Sequence, residues 1–302
     1  MRLTDSDPSL IARLRGQLAD AGLSGSFLVR DLATGREIGI DPDHRYPVAS
    51  LVKVPLALAV LERIRTGDLD GATPIDVPPG RPETGDVGLG RFRHPSRVAV
   101  HDLLYLSLAI SDNAAADALF GLVPPVEVTK ALRAAGIGGI TVRQPMRDPD
   151  ESPADRLGPD NAHLVQTLAI GAKTAGLGHE LSQLDVSRAN MGSARAFVDL
   201  LEALWTPSAV PAETAEGVRR LMRANIHRQR LGPDFTSDAS TWSSKTGTLL
   251  NLRHEVGVVE HEDAGRYAVA ALTESSVPAS AQPAAEALMG KVARELHDWL
   301  RD

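Results

Sequence analysis

The chain has 302 residues, 43% of them hydrophobic, a formal net charge of −7, nine histidines and no cysteine, which is the composition of a soluble globular protein with ample length for a sizeable core. No apolar run approaches the roughly 20 residues of a membrane helix, and mixed-sign acidity argues against generic affinity for nucleic acid or anionic membranes. Thiol nucleophiles, disulfides and thiolate metal sites are excluded, no His-Glu-x-x-His pairing is present, and so no metal or cofactor is expected.

The start, Met1-Arg2-Leu3-Thr4-Asp5-Ser6-Asp7, leads into a charged helical pattern without an apolar signal core, so the chain as given reads as cytoplasmic, or as secreted if a leader has been trimmed. Residues 6 to 22 form an amphipathic pattern with Leu10, Ile11, Leu14 and Leu18 on one side, ending at Gly22. Two strands, Ser26 to Asp31 and Arg36 to Ile40, flank a hairpin at Ala33-Thr34-Gly35. From about 68 to 215 helical patterns dominate, broken by loops such as Val77-Pro78-Pro79-Gly80-Arg81-Pro82 and Arg147-Asp148-Pro149-Asp150-Glu151-Ser152-Pro153. Strands follow at Thr241 to Thr248, Glu255 to Glu260 and Tyr267 to Thr273, and then a helix from about Ala281 to Leu300. The order implies a single α+β domain over 1–302. Its α/β lobe joins 1–67 to 216–302, and a mainly helical lobe over 68–215 is inserted into it.

Three short segments carry the chemistry. A serine hydroxyl is a poor nucleophile until a base takes its proton, and in Ser50-Leu51-Val52-Lys53 the i,i+3 spacing on a helix places an amine beside that oxygen. Alone the segment is also read as a helix N-cap before the apolar run Val54 to Leu61. Ser111-Asp112-Asn113 alone reads as a cap for a helix through Ala114 to Phe120, and Lys245-Thr246-Gly247 alone as a strand end. The chain has only five lysines, and two of them, Lys53 and Lys245, fall inside these segments. Together and in this order, the three describe a serine acyl-transfer site.

The triplet, with Pro47 to Pro55 and Leu103 to Asp117 around its first two members, resembles the class A β-lactamases and penicillin-binding proteins. The similarity runs from about Ser26 to the C-terminal helix and is poorest between Thr141 and Ser193. The resemblance implies a β-lactamase-like fold, an antiparallel sheet flanked by the N- and C-terminal helices with an all-helical lobe inserted. It also implies a serine hydrolase without cofactor that acts on a small molecule bearing a carboxylate. Ser50 is then the nucleophile, with Lys53 as its base if neighbours depress its pKa. Ser111 relays a proton to the leaving group, Asn113 binds the substrate side chain, and Lys245 and Thr246 meet the carboxylate. Backbone N–H groups of Ser50 and Thr248 would hold the developing oxyanion. Arg253 falls where relatives often carry a carboxylate-binding arginine, and a surface ion pair is an equal reading for it.

The chain departs from the family at the Glu-x-x-Leu-Asn segment that orients the deacylating water in class A enzymes. Where it would fall, the sequence reads Val142 to Glu151, with Asp148, Asp150 and Glu151 as the available carboxylates, and the following stretch to Asn190 is long. The leading expectation is therefore an acyl-enzyme at Ser50 formed from a β-lactam or a related amide or ester, with weak or atypical deacylation. A D,D-peptidase-like enzyme or biosynthetic esterase or transacylase is the second. A binding or sensor protein that captures its ligand without turnover is the third. Serine-dependent glutaminases share Ser-x-x-Lys, but the Lys245-Thr246-Gly247 strand fits the lactamase group better.

Overall fold

The structure is a computed structural model that describes residues 7–80, 87–146, 164–171, 179, 181–277 and 281–302. Helix α1 (Pro8–Asp20) starts on an Asp7 cap that accepts the Leu10 N–H at 3.0 Å, with proline in its first turn. It stops at Gly22, whose φ of +69° is a conformation other residues rarely adopt. The hairpin β1 (Leu23–Asp31) and β2 (Glu37–Ile40) follows, then the short β3 (Arg45–Pro47). A 3₁₀ turn, Ala49–Val52, runs straight into α2 (Lys53–Arg65), and every residue from Lys53 to Val60 in that helix is buried. A helix apolar all round belongs in a core, and the run Val54 to Leu61 places α2 there.

The ribbon β4 (Pro74–Val77) and β5 (Ser96–Ala99) precedes α3 (Val100–Ala109), α4 (Asn113–Leu122) and α5 (Pro125–Ala134). Next come α6 (Val165–Gly171), β6 (Met191–Ser193), α7 (Ala194–Trp205), α8 (Ala212–Arg223) and the single turn α9 (Gly232–Phe235). The chain closes with β7 (Ser240–Leu249), β8 (Leu252–His261), β9 (Arg266–Ser275) and α10 (Pro283–Arg301).

Five strands form one antiparallel sheet in the order β2-β1-β9-β8-β7. Its central strands are buried on both faces, which explains their nearly continuous apolar runs. One face packs Phe27, Val29, Val269 and Ala271 against Leu14 and Leu18 of α1 and Met289, Val292 and Leu296 of α10. The other packs Leu28, Val256, Val258, Ala268 and Ala270 against the helices, α7 and α8 foremost, with α2 in the layer behind them. This is the β-lactamase-like α+β architecture, with the two terminal helices on one face and the helical layer on the other.

A buried charge cluster ties the hairpin to α7. Arg30, 1% exposed, donates to Glu37, to Asp199 and to Glu202, and Arg195 donates to Glu37 and Asp43. Burial pushes the Glu37 carboxyl up, but hydrogen bonds from Arg195 and Arg30 outweigh it and hold the group below its ordinary range. β8 begins earlier than the alternation suggests. Leu252, Arg253 and His254 pair with Glu274, Thr273 and Leu272, and all three are buried.

Candidate active site

The turn that carries Ser50 is fixed from three sides. Ala49 takes a φ of +48°, an unfavourable conformation for a residue with a Cβ that costs about 1–2 kcal/mol. The Lys53 N–H closes the 3₁₀ turn on the Ser50 carbonyl. In such a turn residues i and i+3 eclipse, so the side chains of Ser50 and Lys53 leave the backbone on the same side. From the sheet, His254 on β8 points Nε2 at the Pro47 carbonyl, 2.9 Å away, while its Nδ1 accepts the Thr273 N–H at 3.1 Å. Burial pushes the pKa of His254 down to about 4, so the imidazole is a neutral strut between β8 and the turn. β7 lies against the same turn at Gly247, where a Cβ would come within 2.9 Å of the Val48 carbonyl oxygen. That close approach is why the third residue of Lys245-Thr246-Gly247 has no side chain.

Lys53 is wholly buried, and its amine donates to the Ser111 carbonyl at 2.7 Å, the Asn113 Oδ1 at 2.7 Å and the Ser111 Oγ at 3.3 Å. Among the described residues these are its partners. The expected neighbour, Ser50 Oγ, is not one of them, so Ser111 and Asn113 hold the amine within the cleft. Burial pushes the Lys53 pKa down to about 7, against the upward pull of Asp112 and Asp117. Near neutrality the amine is therefore balanced between its charged and basic forms.

Ser111 sits in the turn between α3 and α4 with a φ of +62°. Asp112, fully buried, caps α4 by accepting the Ala115 N–H and also accepts the Leu89 N–H at 2.6 Å. From β7, which is the edge strand of the sheet, Lys245 donates to Ser111 Oγ at 3.0 Å and to the Thr246 carbonyl at 3.0 Å. Burial, with repulsion from Lys53 and Arg230, pushes the Lys245 amine well below its ordinary value. One hydroxyl thus stands between two buried amines. A hydroxyl offers one proton and two acceptor sites, so this one can accept from both amines and keep its own proton for a third group.

Ser50, Asn113 and Thr248 line one cavity of ≈ 120 Å³, walled on the far side by Gln144, Met146 and Asn190. Asn190 builds that wall: its Oδ1 accepts the Arg143 and Gln144 N–H groups, and its Nδ2 donates to the Gln144 carbonyl. Arg253 is placed elsewhere. Its guanidinium donates to the Leu250 and Leu252 carbonyls and lies 3.6 Å from Glu286 at the start of α10. Asp148, Asp150 and Glu151 lie outside the described residues, and among the described residues no cluster of three or more His, Cys, Asp or Glu is arranged to hold a metal ion.

Arg230 escaped the sequence reading. Only 2% exposed, it donates to the Gly247 and His254 carbonyls and to Thr248 Oγ1 at 2.8 Å, and it pairs with Glu286 at 3.0 Å. Behind it, the buried Glu255 accepts the Arg230 and Leu231 N–H groups, Trp242 Nε1 and Ser244 Oγ. Burial pushes the Glu255 pKa up even though these donors stabilise its charge. Nothing local marks either residue, because Arg230 lies in an arginine-rich run, Arg228-Gln229-Arg230, and Glu255 alternates along an ordinary strand.

Three comparisons bear on this arrangement. The sequence profile of the beta-lactamase enzyme family matches residues 9–300. The chain is 60% identical to the beta-lactamase regulatory protein BlaB of Streptomyces cacaoi over 306 residues, covering 97% of this chain and 98% of the relative. Among solved structures it superposes on a beta-lactamase from Chitinophaga pinensis with a TM-score of 0.75 at 17% identity, covering 97% of this chain and 99% of that one. It superposes on PBP-A with a TM-score of 0.74 at 15% identity, covering 100% and 99%.

Proposed function

The chain belongs to the beta-lactamase enzyme family, and from that premise we propose that it forms an acyl-enzyme at Ser50 with a β-lactam or a related amide or ester bearing a carboxylate. The observation that carries the reading is the Ser111 hydroxyl, 3.3 Å from one buried amine and 3.0 Å from another. Asn113, which shares Lys53, lines the same cavity as Ser50. In the proposed step the neutral Lys53 amine turns from Asn113 toward Ser50, and Ser50 Oγ bonds to the substrate carbonyl carbon as its proton passes to that amine. The C–N bond, or the C–O bond of an ester, then breaks, and the leaving atom takes a proton from Ser111, which Lys53 restores. Atoms and charge balance, and the product is a Ser50 ester plus a protonated leaving group. Backbone N–H groups of Ser50 and Thr248 serve as oxyanion donors in this scheme. Lys245 and Thr246 receive the substrate carboxylate, and Arg230 holds Thr248 in place. Arg253 acts there only if it turns from Glu286 toward the cleft.

A second reading has its own support, since the relative at 60% identity is named a regulatory protein. In that version the Ser50 ester persists and the protein reports its ligand without turnover. A D,D-peptidase or transacylase version passes the acyl group to another nucleophile. Intact-mass spectrometry of the full chain after addition of benzylpenicillin separates them. A transient adduct means hydrolysis, a lasting one means capture, and one removed by an added amine means transfer. No adduct on the wild type, or an undiminished adduct on Ser50→Ala, refutes the proposal.

A further inference from the structure

His227 lies outside the three motifs, yet it reaches the peptide that sets the position of Ser111. Its Nε2 is 3.2 Å from the Ile110 carbonyl, which immediately precedes Ser111, and the neighbouring Ile226 N–H donates to the Ala109 carbonyl at 3.0 Å. The loop carrying them is itself anchored. Asn225, with no exposed surface, donates to the His227 carbonyl at 2.7 Å and to Ser244 Oγ at 3.4 Å, and its Oδ1 accepts the His227 N–H at 3.1 Å. The anchor therefore spans from the residue before Ser111 to the residue before Lys245.

Ser111 needs such help. Its φ of +62° is one that residues with a Cβ leave unless neighbouring groups hold them. Two peptide carbonyls define that conformation, and each has a donor from outside the turn: Lys53 at the Ser111 carbonyl, 2.7 Å away, and His227 at the Ile110 carbonyl. A carbonyl only accepts, so the imidazole must carry its proton on Nε2. An uncharged donor also adds no further repulsion to the two lysines. Burial, and then the charges of Lys245, Arg230 and Lys53, work in that direction, against the pull of the Ile110 carbonyl.

We propose that His227 is a positioning residue that clamps the Ile110–Ser111 peptide and so keeps the Ser111 hydroxyl between Lys53 and Lys245 for proton delivery to the leaving group. The inference rests on the acyl-enzyme reading for its chemistry, but the clamp can be tested without any ligand.

The test compares wild type, His227→Leu and His227→Gln in the full chain. Glutamine carries an N–H donor at a similar reach and no charge. Acylation is timed by intact mass with benzylpenicillin, whose nitrogen must be protonated to leave, and with a phenylacetyl thioester, whose thiolate leaves without a proton. General-acid help is worth about 10²–10⁴-fold. His227→Leu should thus slow the penicillin reaction by about 100-fold or more and the thioester reaction by only a few-fold, and His227→Gln should recover most of the penicillin rate. Equal losses on both reagents, no loss on either, or no recovery with glutamine would overturn the proposal. In ligand-free ¹H–¹⁵N spectra the wild-type imidazole should show its proton on Nε2, and the Ser111 amide signal should move in His227→Leu and return toward wild type in His227→Gln. A proton on Nδ1, or an unmoved Ser111 signal, overturns the clamp even if the wild type is acylated. If the wild type takes no adduct, the acyl-enzyme reading fails while the spectra still decide the clamp.

Discussion

The rate of adduct formation at Ser50 should rise with pH through about 7 and then level off. An ordinary lysine amine has a pKa of about 10.4, so at pH 7 only about 0.04% of it is unprotonated. Burial brings Lys53 to about 7, where roughly half of it is a free base, a gain on the order of 10³-fold in the reactive form. Below the midpoint the neutral fraction falls tenfold per pH unit, so at pH 5 the reaction should run about 100-fold below its plateau. The assay is the initial rate of adduct formation by intact mass, with benzylpenicillin well below saturation, between pH 5 and 9. A rate that is flat over this range, or one still climbing tenfold per unit at pH 9, would show that the buried amine is not the base. Lys53→Arg is the companion variant: it keeps a cation but cannot give up its proton, and acylation should fall by about 10²–10⁴-fold on the plateau and by about 100-fold less at pH 5, where the wild type has lost most of its own free base.

The same group should leave a mark on stability. Between pH 7 and 10.5 the unfolded lysine still binds a proton that the folded one has shed, so the wild type should gain stability with rising pH relative to Lys53→Met, by about 5 kcal/mol in all; parallel denaturation curves for the two across this window would contradict it. Glu37→Ala takes one of three carboxylates from the buried guanidinium of Arg30, and leaves Asp199 and Glu202 in place, so it should cost about 1–3 kcal/mol in urea unfolding. Because the folded Glu37 titrates below its ordinary value, its contribution is present above about pH 4.5 and is lost as pH falls through the lower folded value, so wild type and variant should converge in acid. Gly247→Val drives a side chain into the Val48 carbonyl and should cost about 1–3 kcal/mol as well as most of the acylation rate, checked by melting and by intact mass. Arg230→Gln should slow acylation by a carboxylate-bearing ligand and by its methyl ester alike, since Thr248 loses the donor that holds its backbone N–H at the oxyanion position; unchanged rates with both would remove Arg230 from that support.

What the sequence disclosed follows the range of the forces involved. Strands β1 and β9 and helices α1 and α10 were legible because their burial repeats locally, with a period that a short window reveals. The start of β8 was not, because Arg253 and His254 are polar residues buried by partners far along the chain. The short pairings of β3 with β6 and β4 with β5 lie in segments with no strong alternation, and only packing selects them. At the site the three motifs were legible for the opposite reason, since each joins a chemical group to the turn that presents it within three or four residues. Their relations were less so. The sequence reading put the Lys53 amine at Ser50, and spacing alone could not foresee that Ser111 and Asn113, about sixty residues on, would take its hydrogen bonds. The supports around the motifs, Arg230, Glu255, His254 and His227, were invisible because the contacts that tie them to the motifs come from segments distant in the chain.

That division has a physical logic. Ala49 and Ser111, two of the residues that shape the cleft, both hold positive φ values without being glycine. A conformation of that kind does not persist on local preference, so its cost must be met by bonds from other parts of the fold. Lys53, His254 and His227 make those bonds, and each comes from a different element: α2, β8 and the loop after α8. The cleft is therefore assembled only when the sheet and the helical layer have closed on each other, and a substitution that loosens their junction should reach the Ser111 hydroxyl without touching it.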